Sequence, residues 1–324
     1  MAGPGVSEAT PDRAPTSTKP VEAFVLGRLH ADLYPLQVGV TLDRVETFQR
    51  FVGGFAGNVG IGLARLGVAT AVLSGVGDDG HGRYIVRTLA DEGVDTEWVV
   101  THPTLRTALT FCELHPPDYF PLTAYRLPTC PDWEIRPDDL PLGRIAAAPL
   151  LYVSGTALAR PSSRAAMLAA MGAHRAPFDP ARATILDLDW RASYWARPGA
   201  YPVHIASAAG LADTIIGSDS EFAVARLDPE RLRRRGTRRV FVKHGPAGAS
   251  LLLDDSTFDI PGTPIPVVNG LGAGDAFVAA VGYGLLAGRG PLELLRLGNA
   301  AGAFVAAQLA CSEAMPRPVD LPGL

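Results

Sequence analysis

The chain has 324 residues, a net charge of -4, 47% hydrophobic residues and 19% charged residues. This composition is typical of a folded protein, and it excludes a chain dominated by disorder and gives no reason to expect nucleic acid as a partner. Cys112, Cys130 and Cys311 are too few and too far apart for a disulfide framework or a CxxC metal site, so we expect a cytoplasmic protein. No apolar run approaches the roughly 18 residues that would span a membrane.

The first 20 residues are rich in Pro, Ala, Ser and Thr, and we interpret residues 1–20 as a disordered tail before one domain over residues 21–320. In that domain, short apolar runs alternate with amphipathic stretches such as GRYIVRTLADEG and SSRAAMLAAMGA. The runs are AFVLG from Ala23, TAVLSG from Thr70, PLLYVSG from Pro149, TILDLD from Thr184, DTIIG from Asp213 and VFVKHG from Val240. This alternation predicts βαβ units and a three-layer, doubly wound α/β fold with a mainly parallel sheet.

Two regions interrupt this pattern. Residues 33–52 and 104–128 lack a helical period and carry β-rich sequence punctuated by turns. Segments of this kind, inserted between βα units, predict a small β-structure beside the main sheet. We expect it to act as a lid over a ligand crevice at the carboxyl ends of the strands.

The segment VVNGLGAGDAFVAA, residues 267–280, carries the strongest chemical signal. Gly270, Gly272 and Gly274 lie where a strand turns into a helix, so backbone N–H groups and the positive end of the helix dipole converge on an anion. Asp275 follows in the first helical turn, where a carboxylate should stay ionised. Phosphoryl transfer suits this pair, with Asp275 accepting the proton of an attacking hydroxyl. The alternative is a glycine-rich turn whose Asp only caps the helix.

A second glycine cluster, GGFAGNVGIGLARLG, begins at Gly53 and Gly54 and carries Asn58. Paired glycines after an extended segment suit a hinge or a close approach of the backbone to a ligand, and Asn58 offers both a donor and an acceptor. Taken alone, the cluster fits helix packing equally well.

Together the two segments resemble the signatures of the ribokinase (PfkB) family of carbohydrate kinases. Gly53, Gly54 and Asn58 match the N-terminal signature, Gly272-Ala273-Gly274-Asp275 matches the C-terminal one, and the similarity runs from about Ala23 to Met315. The resemblance implies a ribokinase-like fold with a small β-rich lid, ATP and Mg²⁺ as cofactors, and Asp275 as catalytic base beside the amides of residues 272–274.

The resemblance also implies ligand contacts elsewhere in the chain. Substrate contacts are implied at Asp32, Gly53, Gly54 and Asn58, and nucleotide contacts at Ser218, Glu221, Lys243, Gly245, Gly248 and Asn299. Glu221 would act on magnesium, although the family's usual Asn-x-x-Glu reads Ser218-Asp219-Ser220-Glu221 here. Asn269 stands where the family often has an acidic residue, which puts a K⁺ site in doubt.

Further stretches, among them GRLHADLYPLQVGV, FCELHPPDYFPL and LDLDWRASYWA, resemble a branch of the family whose substrate is a sugar acid. A carboxylate in a closed site needs a cationic partner, and the planar fork of arginine matches it with two hydrogen bonds. We favour Arg126 with Arg28 for the carboxylate and Arg191 for the phosphate side; the alternative for each is a surface charge.

Other interpretations stay open. The substrate could be a different sugar or sugar acid, such as 2-dehydro-3-deoxygluconate or fructose, or the chain could be a sensor of sugar or nucleotide without turnover. The exposed edges of a β-rich lid also suit a homodimer. We set aside two signals: GVGDDG at residues 75–80 imitates a dinucleotide motif but carries acids where a pyrophosphate would approach, and RLRRRGTRR at 231–239 is typical of a solvated helix end.

Overall fold

The structure is a computed structural model that describes residues 20–175 and 182–321; the predicted tail lies outside these residues except for Pro20. Within the two ranges the chain forms thirteen strands and nine α-helices. The strands are β1 Ala23–Leu26, β2 His30–Pro35, β3 Phe48–Gly53, β4 Thr70–Gly77, β5 Val99–His102, β6 Leu109–Cys112, β7 Leu122–Tyr125, β8 Leu150–Ser154, β9 Ala183–Asp187, β10 Thr214–Ser218, β11 Arg239–Lys243, β12 Gly248–Leu253 and β13 Ser256–Pro261. The helices are α1 Phe55–Arg65, α2 Gly80–Asp91, α3 Leu142–Ala147, α4 Pro161–His174, α5 Tyr201–Ala209, α6 Asp219–Ala225, α7 Pro229–Arg234, α8 Ala273–Leu286 and α9 Pro291–Ala306.

Nine strands form the main sheet, in the order β13-β12-β11-β10-β9-β8-β1-β4-β5. The pairs from β11 through to β5 are parallel, and β12 and β13 add an antiparallel edge. The predicted runs at Ala23, Thr70, Pro149, Thr184, Asp213 and Val240 correspond to β1, β4, β8, β9, β10 and β11. The doubly wound, mainly parallel sheet is therefore confirmed.

Both faces of this sheet are covered, as the near-continuous apolar strands require. In β1, Ala23 and Val25 pack with α1, α2, α8 and α9 on one face. Phe24 and Leu26 pack with α3, α4, α5 and α6 on the other face. The alternation of side chains along one strand thus supplies two separate cores, and the fold has three layers.

The strand order reverses direction between β1 and β8. From β1 the chain continues outward through β4 and β5 on one side, and from β8 it continues through β9, β10 and β11 on the other. Such a switch point opens a crevice at the carboxyl ends of the two central strands, where ligands bind in open α/β sheets. The fold therefore places the candidate site beyond Leu26 and Ser154.

The predicted lid is a separate four-stranded sheet in the order β3-β2-β6-β7. Strands β2 and β3 are antiparallel, β2 and β6 are parallel, and β6 and β7 are antiparallel. The first lid strand begins at His30, three residues before the predicted segment, so only a short link joins it to β1. In the part of the chain that the structure describes, no helix is long and apolar enough to cross a membrane.

Candidate active site

A cleft lies between the switch point and the inner face of the lid. Seven residues that we predicted from the sequence line it: Arg28, Asp32, Gly54, Asn58, Arg191, Gly272 and Asp275. Eight others also line it: His30, Tyr34, Thr110, Cys112, Leu122, Tyr194, Leu271 and Cys311. Most of the predicted sugar side therefore comes together in one place, with residues from β2, α1 and α8 and from the segments that follow β1 and β9.

The Gly53-Gly54 pair is required by close contacts. A Cβ at Gly53 would lie 2.3 Å from the Asp32 carboxylate carbon, and one at Gly54 would lie 2.5 Å from the Arg28 carbonyl oxygen. Gly54 also has φ +88, which only glycine adopts readily, and it opens α1. The pair thus brings α1, with Asn58 in its first turn, against the end of β1.

The second glycine motif opens α8. Gly272 is its N-cap with φ +81, and an added Cβ would lie 2.7 Å from the Cβ of Cys311. The first amides of a helix have no partner within it, so those following Gly272 are available to an anion. A Cβ at Gly274 would lie 3.2 Å from Lys243 Nζ, which places an ammonium group beside these amides. The arrangement suits a phosphoryl group.

Asp275 lies in the first turn of α8, partly buried at the cleft. Asn58 Nδ2 donates a hydrogen bond to its Oδ2 at 2.7 Å, so the two signature motifs meet. Burial and the negative charge of Asp189 raise the pKa of Asp275 to about 6, against the effect of Asn58 and two arginines. A carboxyl group with this pKa is mostly ionised at neutral pH, but its pKa is much closer to neutrality than that of a surface aspartate. A general base is most effective with such a pKa.

Arg28 lines the cleft from a buried position. Its Nη2 donates to both oxygens of Asp189, at 2.8 and 3.1 Å, and its Nε donates to Thr156 Oγ1 at 2.7 Å. Its guanidinium also lies 5.1 Å from the ring centre of Tyr194. Although burial disfavours the charge, Asp189 holds the pKa of Arg28 above its ordinary value. Arg28 is thus a fixed cation, not a surface charge.

Arg126 does not line the cleft, which corrects the expectation that it reaches the substrate. It is buried and forms an ion pair with Asp132, and its Nη1 lies 3.3 Å from His30 Nδ1. Trp133 and Tyr194 cover its guanidinium, at 4.7 and 5.2 Å. The partner of Arg126 comes from the short 3₁₀ turn Pro131–Trp133, which the sequence pattern did not reveal. Arg126 therefore supports the wall of the cleft from behind.

Arg191 is the most exposed of the three arginines, with 40% of its side chain accessible. Its Nη1 donates to the neighbouring Trp190 carbonyl at 2.9 Å, and its Nη2 lies 3.7 Å from Asp189 Oδ1. It lines the same cleft as Asp275 and is able to turn toward a phosphoryl group or a substrate.

The inner face of the lid presents a row of polar side chains. His30 Nε2 lies 3.0 Å from Asp32 Oδ1, and the Tyr34 hydroxyl donates to Asp32 Oδ2 at 3.3 Å. Tyr34 also meets Cys311 Sγ at 2.6 Å, which links the lid to the main body. Burial lowers the pKa of His30, although Asp32 opposes this effect. We predicted only Asp32 from this row; strand alternation on either side of it would have identified His30 and Tyr34.

The predicted nucleotide residues lie at the next strands of the same sheet edge. Lys243 ends β11, and its Nζ lies 3.2 Å from Asp187 Oδ2 at the end of β9. Burial, together with the nearby Glu221, Asp189 and Asp275, raises the pKa of Asp187 despite Lys243. Against the effect of burial, Asp187 and Glu221 raise the pKa of Lys243, so the ammonium group stays charged.

Ser218 and Glu221 form a capping box at the start of α6. Ser218 Oγ accepts from Glu221 N at 3.3 Å, and Glu221 Oε2 accepts from Ser218 N at 2.7 Å. Serine thus fulfils the helix-capping role that asparagine would have. Glu221 Oε1 accepts from Trp190 N at 3.1 Å, so both carboxylate oxygens have backbone partners.

The donor set of this region fits magnesium held mainly by water and phosphate. Asp187 and Glu221 supply carboxylate oxygens, which a hard cation prefers. Across residues 20–175 and 182–321, no three acidic, histidine or cysteine side chains meet around one point. Mg²⁺ commonly keeps several waters and takes one or two carboxylates, and this set offers that number.

Gly245 and Gly248 shape the turn between β11 and β12. Their φ angles are +57 and +115, and a Cβ at Gly248 would lie 2.0 Å from the Ile260 carbonyl oxygen. Asn299 on α9 donates to the Pro261 carbonyl at 3.0 Å, at the end of β13. These three residues flank the antiparallel edge of the sheet, and none of them lines the cleft that holds Asp275.

The dinucleotide-like motif at residues 75–80 has a different role. Asp79 is the N-cap of α2, and its Oδ1 accepts from His81 N and Gly82 N at 3.0 and 2.9 Å. Thr107 donates a further backbone hydrogen bond to Asp79 Oδ2 at 2.8 Å. A carboxylate thus occupies the helix N-terminus that a pyrophosphate would need.

Comparisons with known proteins agree with this geometry. A family model described as pfkB family carbohydrate kinase matches residues 22–318. The chain is 31% identical over 316 residues to 5-dehydro-2-deoxygluconokinase of Clostridium tetani (strain Massachusetts / E88), covering 94% of this chain and 92% of that protein.

Solved structures share the fold. The PfkB protein from Polaromonas sp. JS666 superposes with a TM-score of 0.79 at 27% identity, covering 91% of this chain and 99% of that one. Aminoimidazole riboside kinase from Salmonella enterica, solved with aminoimidazole riboside and an ATP analogue, gives a TM-score of 0.77 at 25% identity, with 92% and 97% covered. From the family match over most of its length, together with the shared fold, this chain belongs to the pfkB family of carbohydrate kinases.

Proposed function

We propose that this kinase transfers the γ-phosphoryl group of ATP to a primary hydroxyl of 5-dehydro-2-deoxygluconate, with Asp275 as general base. The observation that carries the proposal is the position of Asp275. It lies in the first turn of α8, beside the free amides and close to Lys243, with a pKa of about 6. If Asp275 only capped the helix, it would not need a partner from the other glycine motif. Asn58 of that motif nevertheless donates a hydrogen bond to Asp275 at 2.7 Å.

In this reaction the substrate hydroxyl gives its proton to the Asp275 carboxylate while its oxygen forms a bond to the γ-phosphorus. The bond from that phosphorus to the bridging oxygen breaks, and ADP leaves. The α8 amides and Lys243 stabilise the charge on the transferring group, as fixed donors do in phosphoryl transfer. Magnesium, when bound near Asp187 and Glu221, would neutralise phosphate charge.

The substrate assignment has two supports. The Clostridium tetani relative, which this chain matches over 92% of its length, is named 5-dehydro-2-deoxygluconokinase. In addition, the sugar side of the cleft holds Arg28 and Arg191, which suit a carboxylate or a phosphoryl group. Arg126 is not assigned to the substrate, because Asp132 and His30 already contact its guanidinium.

Potassium is not included in the proposed reaction. Asn269 is buried and neutral; its Nδ2 donates to the Leu309 carbonyl at 2.7 Å, and its Oδ1 accepts from Leu271 N at 3.0 Å. It therefore lacks the charge with which an aspartate would hold a monovalent cation.

We propose a homodimer through the outer face of the lid and a cytoplasmic location. Phe48, Phe111 and Tyr125 form a row of edge-to-face contacts at 5.3 and 5.5 Å, and Tyr125 is 63% exposed. A second copy would cover this apolar row and the free strand edges. The three cysteines are buried free thiols, which suits a reducing compartment.

Measuring ATP consumption by the purified protein tests the proposal. The panel contains 5-dehydro-2-deoxygluconate, 2-dehydro-3-deoxygluconate, fructose and ribose. We expect kcat/KM for the first compound to exceed that for fructose by at least about tenfold, the usual effect of one well-placed charged contact. Faster turnover of fructose would overturn the substrate, and no turnover with any sugar would favour a sensor.

A further inference from the structure

Behind Arg28 lies a buried hydrogen-bond network that the proposed reaction does not use. Ser154 and Thr156 are fully buried, and their hydroxyls donate to Asp189 Oδ2 at 2.6 and 2.7 Å. The Thr156 oxygen also accepts from Arg28 Nε at 2.7 Å. Thr156 is thus the one neutral group in the network that touches both members of the Arg28–Asp189 ion pair.

The network comes from three strands around the switch point. Arg28 follows β1, Ser154 ends β8 with Thr156 two residues later, and Asp189 follows β9. Each position is at the carboxyl end of its strand, so the parallel sheet itself brings the four side chains together. The network therefore belongs to the rigid body of the protein and not to the lid.

These bonds leave one nitrogen of Arg28 unused. Nε is bonded to Thr156 and Nη2 to Asp189, while Nη1 makes no hydrogen bond to any residue in the described ranges 20–175 and 182–321. Because Arg28 lines the cleft, Nη1 is the atom through which it can bind a ligand. The Tyr194 ring, 5.1 Å from the guanidinium, limits its rotation on another side.

Charge alone would not make this a strong anion site, because Asp189 already balances the charge of Arg28. An anion would instead bind more tightly if the donor already pointed in a fixed direction before binding. The direction of Nη1 depends on the two bonds that hold the opposite edge of the guanidinium. An isosteric change at Thr156 should therefore alter anion binding without any change in charge.

We propose that Thr156 is a positioning residue that sets the preference of this kinase for an anionic sugar, by fixing Arg28 so that Nη1 meets the substrate carboxylate. The inference rests on the proposed function, because it takes the substrate to be a sugar acid. It assigns Thr156 to specificity although its side chain does not line the cleft.

Thr156→Val tests this directly, since valine keeps the shape and removes the hydroxyl. We expect KM for the sugar acid to rise at least about tenfold, as misplacement of a binding group typically causes. The kcat, the KM for ATP and the KM for fructose should change less than about threefold, because these do not use Nη1. Thr156→Ser restores the hydroxyl and should restore the KM, and Ser154→Ala, which leaves the Nε bond intact, is the matched control with a smaller effect.

The outcomes separate the two claims. If the wild type shows no preference for acids over fructose, both the proposed substrate and this inference fail. If the wild type prefers the acid but Thr156→Val keeps the same acid-to-fructose ratio of kcat/KM, only this inference fails. Should Thr156→Val not fold, Thr156→Ala gives the same readout: it also removes the hydroxyl that fixes Arg28, without placing a methyl group against the ion pair, and should show the same selective rise in KM.

Discussion

The two ends of the cleft hold charge by different means. At the phosphate end, the groups available to a ligand are mainly backbone amides in the first turn of α8, and the one cation beside them, Lys243, is paired with Asp187. At the sugar end they are side chains, and each buried cation there has its own carboxylate: Arg28 pairs with Asp189 and Arg126 with Asp132. A backbone anion site accepts any phosphoryl group, whereas a side-chain network is able to select one substrate. We therefore expect the chemistry common to the family at the phosphate end and the substrate specificity at the sugar end.

The largest effect is expected where the two ends meet. Asp275→Asn should lower kcat by about 10² to 10⁴, the usual contribution of a positioned general base, while the KM values stay within about threefold because the amides and Arg28 are unchanged. Steady-state kinetics of the folded variant measure this. Turnover within about threefold of the wild type would mean that Asp275 is not the base.

At the sugar end, two arginines that look equivalent in the sequence should respond differently to substitution. Arg28→Met should raise KM for the sugar acid at least about tenfold, since a direct ionic contact is lost. Arg126→Met should raise it much less. Both variants leave a buried aspartate without its partner, Asp189 or Asp132, so both should destabilise the fold by about 3 to 5 kcal/mol, and only the KM effect separates them. Kinetics and thermal unfolding of both variants check this; equal KM effects would place Arg126 in contact with the substrate after all.

At the phosphate end, Glu221→Gln should give a smaller effect. We expect the magnesium concentration for half-maximal rate to rise about tenfold, as for groups that orient metal-bound water. Glutamine keeps only one acceptor oxygen, so one of the two backbone hydrogen bonds that the Glu221 carboxylate accepts is lost, and the melting temperature should fall by about 2 to 4 °C. A magnesium titration identical to that of the wild type would remove Glu221 from the metal site.

The same comparison explains what could be predicted from the sequence. The phosphate end could be predicted because backbone binding needs glycines at fixed spacing, and Gly272 and Asp275 are only three residues apart in the chain. The strands were found because buried parallel strands are continuous apolar runs, as in β1 and β4. In both cases the structure depends on residues that are close together in the chain, so a local sequence pattern shows it.

The sugar end was predicted only in part, because its side chains come from distant segments. Thr156 lies 128 residues from Arg28, and Asp189 lies 161 residues away. No local pattern shows that Arg126 pairs with Asp132. The sequence therefore could not show that Arg28 lines the cleft while Arg126 lies behind it. Cys311, which contacts Tyr34 across 277 residues, had no signal at all.

The most direct test of the central claim is the pH dependence of kcat/KM for the sugar acid with the wild-type protein, because kcat/KM reports the pKa of the protein before the sugar binds. Asp275 must be ionised to accept the hydroxyl proton, and burial raises its pKa to about 6. The value of kcat/KM should therefore be nearly constant above about pH 7 and fall about tenfold per pH unit below the pKa, as expected for one essential base. Circular dichroism at each pH confirms that the protein stays folded. A kcat/KM that stays constant down to about pH 5 in the folded protein would contradict the assignment of Asp275 as the base.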